Sequence, residues 1–472
     1  MQKIIIVTIF SLFLMDIAFG QSNGDSKLIG AKELRDDIDS LTKYIEETHP
    51  DAFYKFSKDK FYNEAGGIKS VINKPLSILD FYILIAPLVA KLEDGHTTIQ
   101  FPQMEYFKTN PSLFPYNVKL LSEAPFISII RPFRTMPDEI PSNAEIISIN
   151  GFESHKIVKD IIRFNSGESD NIRADMGANY FYFYLSKLYC VNDNKGRNDT
   201  YMVKYKTDGN IGTKNIIGIK YDSLVKRISH DTTKTSALSQ AYYSLKLIPE
   251  TKTAIINFES FSDIKKFKIF IDSTFKQIKT QKIENLIIDI RENRGGNSTI
   301  GDEFFQYISH QPFTQYAKAK IKYSKLQKEN YKIRFEKDKD RSWLTTKKKP
   351  NGLVEEEKAS SPIKLRKNKL RFNGNVYLLT SISTFSSAAS FAQCFQYYKM
   401  GKIVGEETGG RIIHYGDVIN ATLPNSHLNL TISHKMWYEI GATENDFHGT
   451  MPDIKVPSEK ALDYTLGLIR KQ

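Results

Sequence analysis

Hydrophobic residues near the start of the chain recur with the period of an α-helix. The steps between them are four, three and four residues, which places them on one face of an amphipathic helix. The pair His49-Pro50 then ends this helix, because a proline disfavours helical backbone at the residue before it. The members of the series are Leu34, Ile38, Leu41 and Ile45.

A second apolar series, between Phe81 and Leu92, predicts another helix. Gly95 follows where a glycine commonly ends a helix, and we interpret it as the C-terminal cap. His96 comes directly after it, and residues 97–101 predict a short strand. The segment from about residue 28 to residue 110 is therefore predicted to be largely helical.

The hydrophobic period changes to two between about residues 112 and 219. Apolar runs predict strands at 118–120, 126–129 and 145–149. Asn150-Gly151 is a strong signal for a tight turn, and a helix is predicted from about residue 154 to residue 164. This part of the sequence indicates a small β-rich module.

Strands and helices alternate from about residue 253 onward. Buried strands are predicted at 254–258, 286–290 and 376–380, and a helix is predicted after each of them. This alternation is typical of an α/β core whose sheet is covered on both faces.

Composition and charge change this picture little. The chain has 472 residues, of which 40% are hydrophobic, so disordered, collagen-like and disulfide-scaffold proteins are excluded. The net charge is +12, and much of the basic excess lies between Lys318 and Lys369. Acidic residues at 355–357 interrupt that stretch, so we interpret it as a solvated lysine-rich insertion. Binding of a polyanion is the alternative.

The first twenty residues resemble a secretory leader. Lys3 precedes an apolar run at residues 4–15, which is shorter than the roughly 20 residues that span a bilayer. Ala18-Phe19-Gly20 fits a cleavage site, so export to a periplasm or the extracellular space is predicted. Cys190 and Cys394 are interpreted as core or lightly exposed thiols, and their pairing is left open.

Two junctions between a strand and a helix are the candidate sites of chemistry. Gly295-Gly296 follows the strand at 286–290, and such a glycine pair lets backbone N–H groups approach an anion closely. The run from Ser383 to Ser387 precedes the helix at 387–400, where a serine is either a cap or a nucleophile. A serine nucleophile also needs a base from elsewhere in the chain.

These residues resemble the carboxy-terminal processing and tricorn-type serine peptidases, also called tail-specific proteases. The likeness covers about residues 253–456 and consists of four blocks in the family's order. The blocks are Leu-Ile-Ile-Asp-Ile-Arg-Glu-Asn-Arg-Gly-Gly at 286–296, Thr-Phe-Ser-Ser-Ala at 384–388, Val-Gly-Glu-Glu-Thr-Gly-Gly at 404–410 and Met-Pro-Asp-Ile-Lys-Val at 451–456.

The resemblance implies an α/β fold with a crotonase-like ββα catalytic domain. Residues 140–151 are similar to part of the PDZ-like module that commonly precedes that domain. The expected organisation is a leader at 1–20, a helical domain at 21–111, a PDZ-like module at 112–225 and a catalytic domain at 235–472. The lysine-rich insertion is expected at about 316–371 of the catalytic domain.

By the same resemblance, Ser386 is the nucleophile. Processing proteases use a lysine base at a place that here holds Arg411, and a guanidinium stays protonated and cannot act as a base. The tricorn-like branch uses a histidine from an N-terminal segment, which corresponds to His96. His414 and His448 are alternative bases that no spacing favours.

The family pattern also implies the supporting groups. An orienting carboxylate is expected six residues before Pro452, at Asp446, with Glu444 as its neighbour and alternative. Backbone amides of Ser387 and of Gly295 or Gly296 are expected to form the oxyanion hole. No metal or organic cofactor is implied, and the predicted partner is a polypeptide substrate, with no nucleic acid expected.

The predicted function is therefore that of an exported serine endopeptidase. A catalytically inactive peptide-binding homologue is the alternative, because Ala389 replaces an acidic residue of many relatives and Arg411 replaces the lysine.

Overall fold

The computed structural model describes residues 28–133, 135–189, 199–230, 242–337, 341–359 and 361–471. The predicted leader at 1–20 and Cys190 lie outside these residues. Among the described helices, none combines the length and the apolar composition needed to cross a membrane.

The helices and strands follow each other in the mixed order that the periodicities predict. The helices are α1 (Ala31–Thr48), α2 (Lys58–Val71), α3 (Ile78–Ala90), α4 (Gln103–Lys108), α5 (Ser154–Ile162), α6 (Asp170–Ala178), α7 (Phe181–Leu188), α8 (Tyr221–His230), α9 (Ile264–Thr280), α10 (Thr299–Ile308), α11 (Lys325–Phe335), α12 (Arg341–Thr346), α13 (Ser387–Tyr397) and α14 (Ala461–Ile469). Short 3-10 helices occupy Pro249–Thr251 and Ser458–Lys460.

The strands belong to four sheets. They are β1 (Thr98–Ile99), β2 (Ser112–Leu113), β3 (Tyr116–Leu120), β4 (Ile127–Pro132), β5 (Glu145–Ile149), β6 (Phe152–Glu153), β7 (Thr200–Thr207), β8 (Asn210–Ile217), β9 (Ile219–Lys220), β10 (Tyr243–Ile248), β11 (Thr253–Phe258), β12 (Asn285–Asp289), β13 (Tyr316–Lys322), β14 (Val354–Lys358), β15 (Asn375–Thr380), β16 (Lys402–Gly405), β17 (Ile413–Thr422), β18 (Asn429–Glu439) and β19 (Ile454–Lys455).

The helices near the N-terminus pack through the predicted apolar faces. α1 buries Leu34, Ile38, Leu41 and Ile45, and the helix ends before His49, as predicted. The core that contains them continues through α3 and the sheet of β3, β4, β5, β7 and β8, and it reaches Leu430 and Ile432 of β18. One continuous apolar core therefore links the start of the chain to a strand near its end.

The β-rich part holds more helix than the sequence predicted. The sheet order is β3-β4-β5-β7-β8, and Asn150-Gly151 forms the predicted tight turn, with φ values of 51° and 82°. Helices α6 and α7 lie between β6 and β7, where no helix was predicted. Their apolar residues include runs of aromatic residues that suit strands equally well, so the pattern alone did not separate the two.

The alternating strands and helices form the predicted α/β layer. The six-stranded sheet has the order β10-β11-β12-β15-β16-β19, and its pairings are parallel from β11 to β19. Helices α9, α10 and α13 bury Phe267, Phe304 and Phe391 against one face of this sheet. The carboxyl ends of β12 and β15 lead into the two junctions that the sequence singled out.

The lysine-rich stretch is built into a sheet rather than standing off as a solvated insertion. β13 pairs with β18, and β14 pairs with β13 at the sheet edge. Ala319, Ile321 and Tyr323 are buried, and Lys322 donates to the carbonyl of His49 at 3.1 Å. Alternating burial along β13 explains why its charge misled the sequence interpretation: lysines occupy the outward positions of a strand whose other face is packed.

Gly95 is not the cap of the second helix. α3 ends at Ala90, and Glu93 takes the left-handed backbone, with φ of 56°. Gly95 is required for a different reason, since a Cβ there would lie 2.8 Å from the Phe385 ring and 2.9 Å from Glu168 Oε2. The absence of a side chain at this place matters because of close packing at the site described below.

Candidate active site

Ser386 lies at the turn between the loop after β15 and the start of α13. Its φ of 53° and ψ of −130° are strained for a residue other than glycine. Such strain at a strand-to-helix turn is typical of a nucleophile whose oxygen is held clear of its own backbone. The half-buried side chain is therefore presented to its surroundings rather than used as a helix cap, since it accepts no capping hydrogen bond.

The loop that carries Ser386 is tied to the glycine loop after β12. Thr384 Oγ1 donates to the carbonyl of Ile290 at 3.0 Å, and the amide of Phe385 donates to the carbonyl of Asn293 at 3.1 Å. Asn293 is fully buried, and its Nδ2 donates to the carbonyl of Phe258 at 2.7 Å. These bonds fix the two predicted junctions against each other.

His96 reaches Ser386 through the pairing of β1 with β18. The Thr431 hydroxyl donates to the carbonyl of His96 at 2.7 Å, and the amide of Ser433 donates to Thr97 Oγ1 at 3.0 Å. His96 Nε2 lies 3.0 Å from Ser386 Oγ, although 290 positions separate the two residues. The structure thus brings these two predicted site residues into hydrogen-bond contact.

The ring of His96 is held by stacking as well as by its backbone. Its centroid lies 4.8 Å from that of Phe385 and 6.1 Å from that of His414, with interplanar angles of 26° and 27°. The side chain of His96 keeps 14% of its surface exposed. The ring is therefore confined in orientation while one edge faces Ser386.

Asp94 is the carboxylate that contacts His96. The amide of His96 donates to Asp94 Oδ1 at 2.9 Å, and this oxygen lies 3.8 Å from His96 Nδ1. Asp94 Oδ2 accepts from Ser433 Oγ at 2.6 Å and contacts His49 Nε2 at 3.1 Å. The amide of Asp51 donates to His49 Nδ1, so the proton of a neutral His49 ring is on Nε2 and points to Asp94.

These contacts set the protonation of the buried pair. Burial alone would raise the pKa of Asp94, but the hydrogen bonds from His49 and His96 hold it well below its usual value. Burial alone would lower the pKa of His96, but the Asp94 carboxylate outweighs burial and raises it. Asp94 is therefore a carboxylate that stabilises positive charge on His96.

The structure does not bring Asp446 or Glu444 to His96. Asp446 Oδ2 accepts from Thr443 at the surface, and its other oxygen lies 3.5 Å from His448 Nε2. Glu444 is exposed and pairs with Lys318 at 3.3 Å. The expectation that Asp446 orients His96 therefore differs from the observed contacts, which give that place to Asp94.

His414 and His448, the alternative bases, have other partners in the structure. His448 is occupied by Asp446 and the carbonyl of Gly449. His414 Nδ1 lies 3.1 Å from the carbonyl of Arg411, and burial lowers the pKa of His414 to about 4. Neither ring contacts Ser386, so His96 is the one of the three histidines that does.

The predicted oxyanion donors lie beside Ser386, but the amides of Gly295 and Gly296 differ in whether they already make a hydrogen bond. The amide of Gly295 donates to Asn293 Oδ1 at 2.8 Å, so that amide is already used. Within the described residues, the amides of Gly296 and Ser387 have no acceptor. A Cβ on Gly295 would lie 2.8 Å from Ser386 Cβ, which shows how closely the glycine loop approaches the serine.

Glu168 is a site residue that sequence reasoning missed. It is 3% exposed, and neither of its carboxylate oxygens has a hydrogen-bond partner among the residues that the structure describes. Burial raises its pKa to about 7. No sequence signal pointed to it, because it lies on the turn between α5 and α6, 72 positions from His96. A small cavity of about 10 Å³ lies beside it and is also lined by Leu92, Arg411 and His414.

A second buried carboxylate, Glu439, lies next to His414. Its Oε1 accepts from Ser390 Oγ at 2.7 Å and lies 3.6 Å from His414 Nδ1. Burial raises the pKa of Glu439 to about 8. With the pKa of His414 lowered to about 4, the two groups form a neutral contact at pH 7 and not an ion pair.

Positions 389 and 411, where the sequence departs from the family pattern, can be examined in the structure. Ala389 is buried in α13, and a Cβ on Gly410 would lie 2.7 Å from Ala389 Cβ. There is little room for a larger side chain at position 389. Arg411 lies on the cavity next to Glu168 and does not contact Ser386.

Known proteins share both the sequence pattern and the fold. Residues 252–456 match the model of peptidase family S41. The structure of mature CPAF is 12% identical and covers 94% of this chain and 98% of its own length, with a TM-score of 0.63. The structure of mature CPAF complexed with lactacystin is also 12% identical, covers 93% of this chain and 98% of its own, and has a TM-score of 0.64.

No curated protein has a matching sequence. At 12% identity, the structural similarity to CPAF establishes a shared fold. The family model matches the part of the sequence that forms the α/β layer. The chain therefore carries a peptidase S41 domain at residues 252–456, and with this domain it is a serine peptidase.

Proposed function

We propose that this chain is an exported serine endopeptidase in which Ser386 is the nucleophile and His96 the general base. The distance of 3.0 Å between His96 Nε2 and Ser386 Oγ is the observation that carries the proposal. A nucleophile and base within hydrogen-bond reach are the minimum that acyl transfer by serine requires. Export is supported by the leader-like pattern of residues 1–20.

In the first half of the reaction, Ser386 Oγ attacks the carbonyl carbon of the scissile peptide bond. His96 Nε2 takes the hydroxyl proton, which requires the proton of the neutral ring to be on Nδ1, facing Asp94. The carbon–nitrogen bond then breaks, and His96 returns the proton to the leaving amine. The product is an ester between Ser386 and the acyl part of the substrate.

In the second half, water attacks the ester carbonyl while His96 removes one proton from it. The ester bond breaks, Ser386 Oγ recovers that proton, and the carboxylic acid product leaves. Asp94 is the positioning carboxylate in both halves, because it stabilises the positive charge that His96 acquires each time.

The free amides of Gly296 and Ser387 are the proposed oxyanion donors. They are backbone groups on tightly held loops, so they need no reorganisation as the tetrahedral oxyanion forms. Loss of one such donor costs about 3 kcal/mol of barrier in other serine peptidases. The PDZ-like role of the β-rich sheet and the division into domains at 21–111, 112–225 and 235–472 belong to this proposal.

A fluorophosphonate probe tests the nucleophile directly. We expect covalent labelling of the full chain and its loss in Ser386→Ala. Ser387→Ala is the matched control, since it removes the neighbouring hydroxyl but keeps the backbone amide, and it is expected to be labelled. His96→Ala is expected to slow labelling and hydrolysis of a dye-quenched casein by at least about 1000-fold.

The same experiment distinguishes the peptidase from the alternative function. A chain that resists the probe but binds an unstructured peptide equally well before and after Ser386→Ala would be an inactive peptide-binding homologue. Labelling that survives Ser386→Ala would place the nucleophile at another residue.

A further inference from the structure

Asp94, His96 and Glu168 each bring one possible metal-ligand atom to the same place in the structure. One carboxylate oxygen of Asp94, one of Glu168 and one ring nitrogen of His96 all lie within 4.8 Å of one another. The ring nitrogen on the side away from Ser386 is Nδ1, which is buried and has no hydrogen-bond partner. A metal cation that displaces the ring proton from Nδ1 can be bound by all three atoms.

Glu168 gives the second, independent indication of a ligand. Its side chain is 3% exposed, yet no described residue forms a hydrogen bond with either oxygen, whereas buried polar groups are nearly always hydrogen-bonded. Asp94 differs, because its Oδ2 is already bonded to Ser433 and lies against His49. Glu168 is therefore a buried carboxylate outside the hydrogen-bond network of the described residues, and it lies close to the other two ligand atoms.

We propose that Asp94, His96 and Glu168 form a zinc site, and that zinc bound there blocks the peptidase. An imidazole nitrogen with two carboxylate oxygens is a ligand set that zinc takes at about 2.0 to 2.2 Å, with a fourth position left for water. In a tetrahedral site these distances place ligand atoms about 3.4 Å apart. The present spacing of 3.8 Å between His96 Nδ1 and Asp94 Oδ1 is close to that value.

Zinc binding also requires Glu168 to move closer to the other two ligands. Glu168 is held by no hydrogen bond, so its carboxylate can approach the other two ligands without breaking one. The small cavity that Glu168 helps to line lies beside the site. Arg411 and Lys55 on that cavity oppose the entry of a cation, and Glu93, which also lines it, offsets part of their charge.

Zinc would block the reaction by fixing the proton of His96. A neutral imidazole carries a single ring proton, so a metal on Nδ1 leaves that proton on Nε2. Nε2 is the atom 3.0 Å from Ser386 Oγ, and once protonated it cannot accept the hydroxyl proton. The block of the peptidase rests on the proposed function, in which His96 is the base. Zinc binding at the site does not depend on that function.

Zinc binding is measured first in a chain that cannot react. Full-length Ser386→Ala, freed of metal with a chelator, is titrated with zinc chloride in a calorimeter. We expect about one zinc ion per chain, and a loss of affinity of more than about 100-fold in the Glu168→Gln double variant, since loss of an outer-shell partner alone costs 10- to 100-fold. Glu439→Gln in the same background removes another buried carboxylate and is expected to bind zinc normally.

Cobalt(II) in the otherwise unmodified chain gives a spectroscopic check that does not depend on a variant folding. Tetrahedral ligation by nitrogen and oxygen is expected to give visible d–d bands without the thiolate charge-transfer bands that Cys190 or Cys394 would produce. Absence of binding, zinc affinity that is unchanged by Glu168→Gln, or a thiolate spectrum would each overturn the site.

The block is measured separately, as the rate of fluorophosphonate labelling of Ser386. Saturating zinc is expected to slow labelling at least 10-fold, a chelator to restore it, and Glu168→Gln to make the labelling rate insensitive to zinc. Zinc that binds without slowing the labelling would overturn the block and leave the site intact. A chain that resists the probe even without zinc contradicts the proposed function and leaves the calorimetric result unaffected.

Discussion

The side chain of Asn293 accepts a hydrogen bond from the amide of Gly295 at 2.8 Å, and this bond decides which glycine amide is free beside the nucleophile. The same side chain donates to the carbonyl of Phe258 at the end of β11, and the backbone carbonyl of Asn293 accepts from Phe385. One buried residue therefore holds a sheet strand, the glycine loop and the serine loop together.

Asn293→Ala should impair both stability and turnover. It leaves the amide of Gly295 and the carbonyl of Phe258 unpaired in the interior, which costs about 1 to 3 kcal/mol of unfolding free energy each. The glycine loop would also shift relative to Ser386, and a displacement of about 1 Å costs roughly 100-fold in rate. Urea unfolding and kcat on a dye-quenched casein measure the two effects.

Asn297→Ala is the control for this change. Asn297 Oδ1 accepts from the exposed amide of Thr299 at 3.1 Å, so its removal should cost less than about 1 kcal/mol and leave kcat nearly unchanged. Equal kcat values for the two variants would contradict the positioning role of Asn293.

Gly295→Ala should remove activity by steric contact. The new Cβ would lie 2.8 Å from both Ser386 Cβ and Ser387 N, and the φ of 93° is itself unfavourable for alanine. Gly209→Ala separates these effects, since Gly209 has φ of 80° and a Cβ there would have no atom within 4 Å. We expect about 1 kcal/mol of destabilisation and normal kcat for Gly209→Ala, but a fall in kcat of at least about 100-fold for Gly295→Ala.

Asp94→Asn should lower kcat by about 100- to 10,000-fold, because the amide cannot stabilise positive charge on the His96 ring. Asp446→Asn removes a carboxylate that contacts Thr443 and His448 at the surface, and kcat should stay within about twofold. Steady-state kinetics on the two variants compare the observed carboxylate with the one expected from the family pattern. The reverse ranking would restore Asp446 as the orienting group.

Glu439 should make the folded state less stable as the pH rises. Its pKa is raised to about 8 in the folded chain, so between about pH 4.5 and pH 8 the folded state binds more protons than the unfolded state. The free energy of unfolding therefore falls across that interval, by an amount of the order of a few kcal/mol. Glu439→Gln should abolish this slope. Compared with the unmodified chain at the same pH, the variant should have a more favourable free energy of unfolding at pH 9 than at pH 5.

Ser390 donates a hydrogen bond to Glu439, and His414 Nδ1 lies 3.6 Å from the same carboxylate. Loss of stability from His414 belongs to a different interval, below pH 6.5 and towards pH 4, because its folded pKa is lowered. Urea unfolding at pH 5, 7 and 9 measures the slope, with exposed Glu444→Gln as the control. A slope that persists in Glu439→Gln would contradict the assignment.

The sequence predicted the parts of the site that are encoded by short contiguous blocks. Ser386, the glycine pair and the alternating strands and helices each have a local signature, and the S41 match covers the same stretch. Asp94 had a weak signal, since it lies two residues before His96 in a turn. Glu168 had none, because only the packing of the turn between α5 and α6 brings it to the ring.

Two of the errors of interpretation, those on Gly95 and Asp446, have a common physical cause. Gly95 was assigned to helix capping, but the Phe385 ring, 290 positions away, is what excludes a side chain there. Asp446 was assigned by counting from Pro452, but its neighbours Thr443 and His448 hold it at the surface. In both cases a contact between distant segments decided the role, and local spacing does not encode such contacts.

The pairing of β1 with β18 has a consequence for how activity arises during synthesis. The ribosome produces His96 early and Ser386 nearly three hundred residues later, yet Thr98 and Ile99 pair with Thr431 and Leu430, which emerge later still. A nascent chain that already contains both reacting groups therefore lacks the strand that joins them. Under the proposed mechanism, the His96–Ser386 contact can therefore form only after residues 430 and 431 have been synthesised.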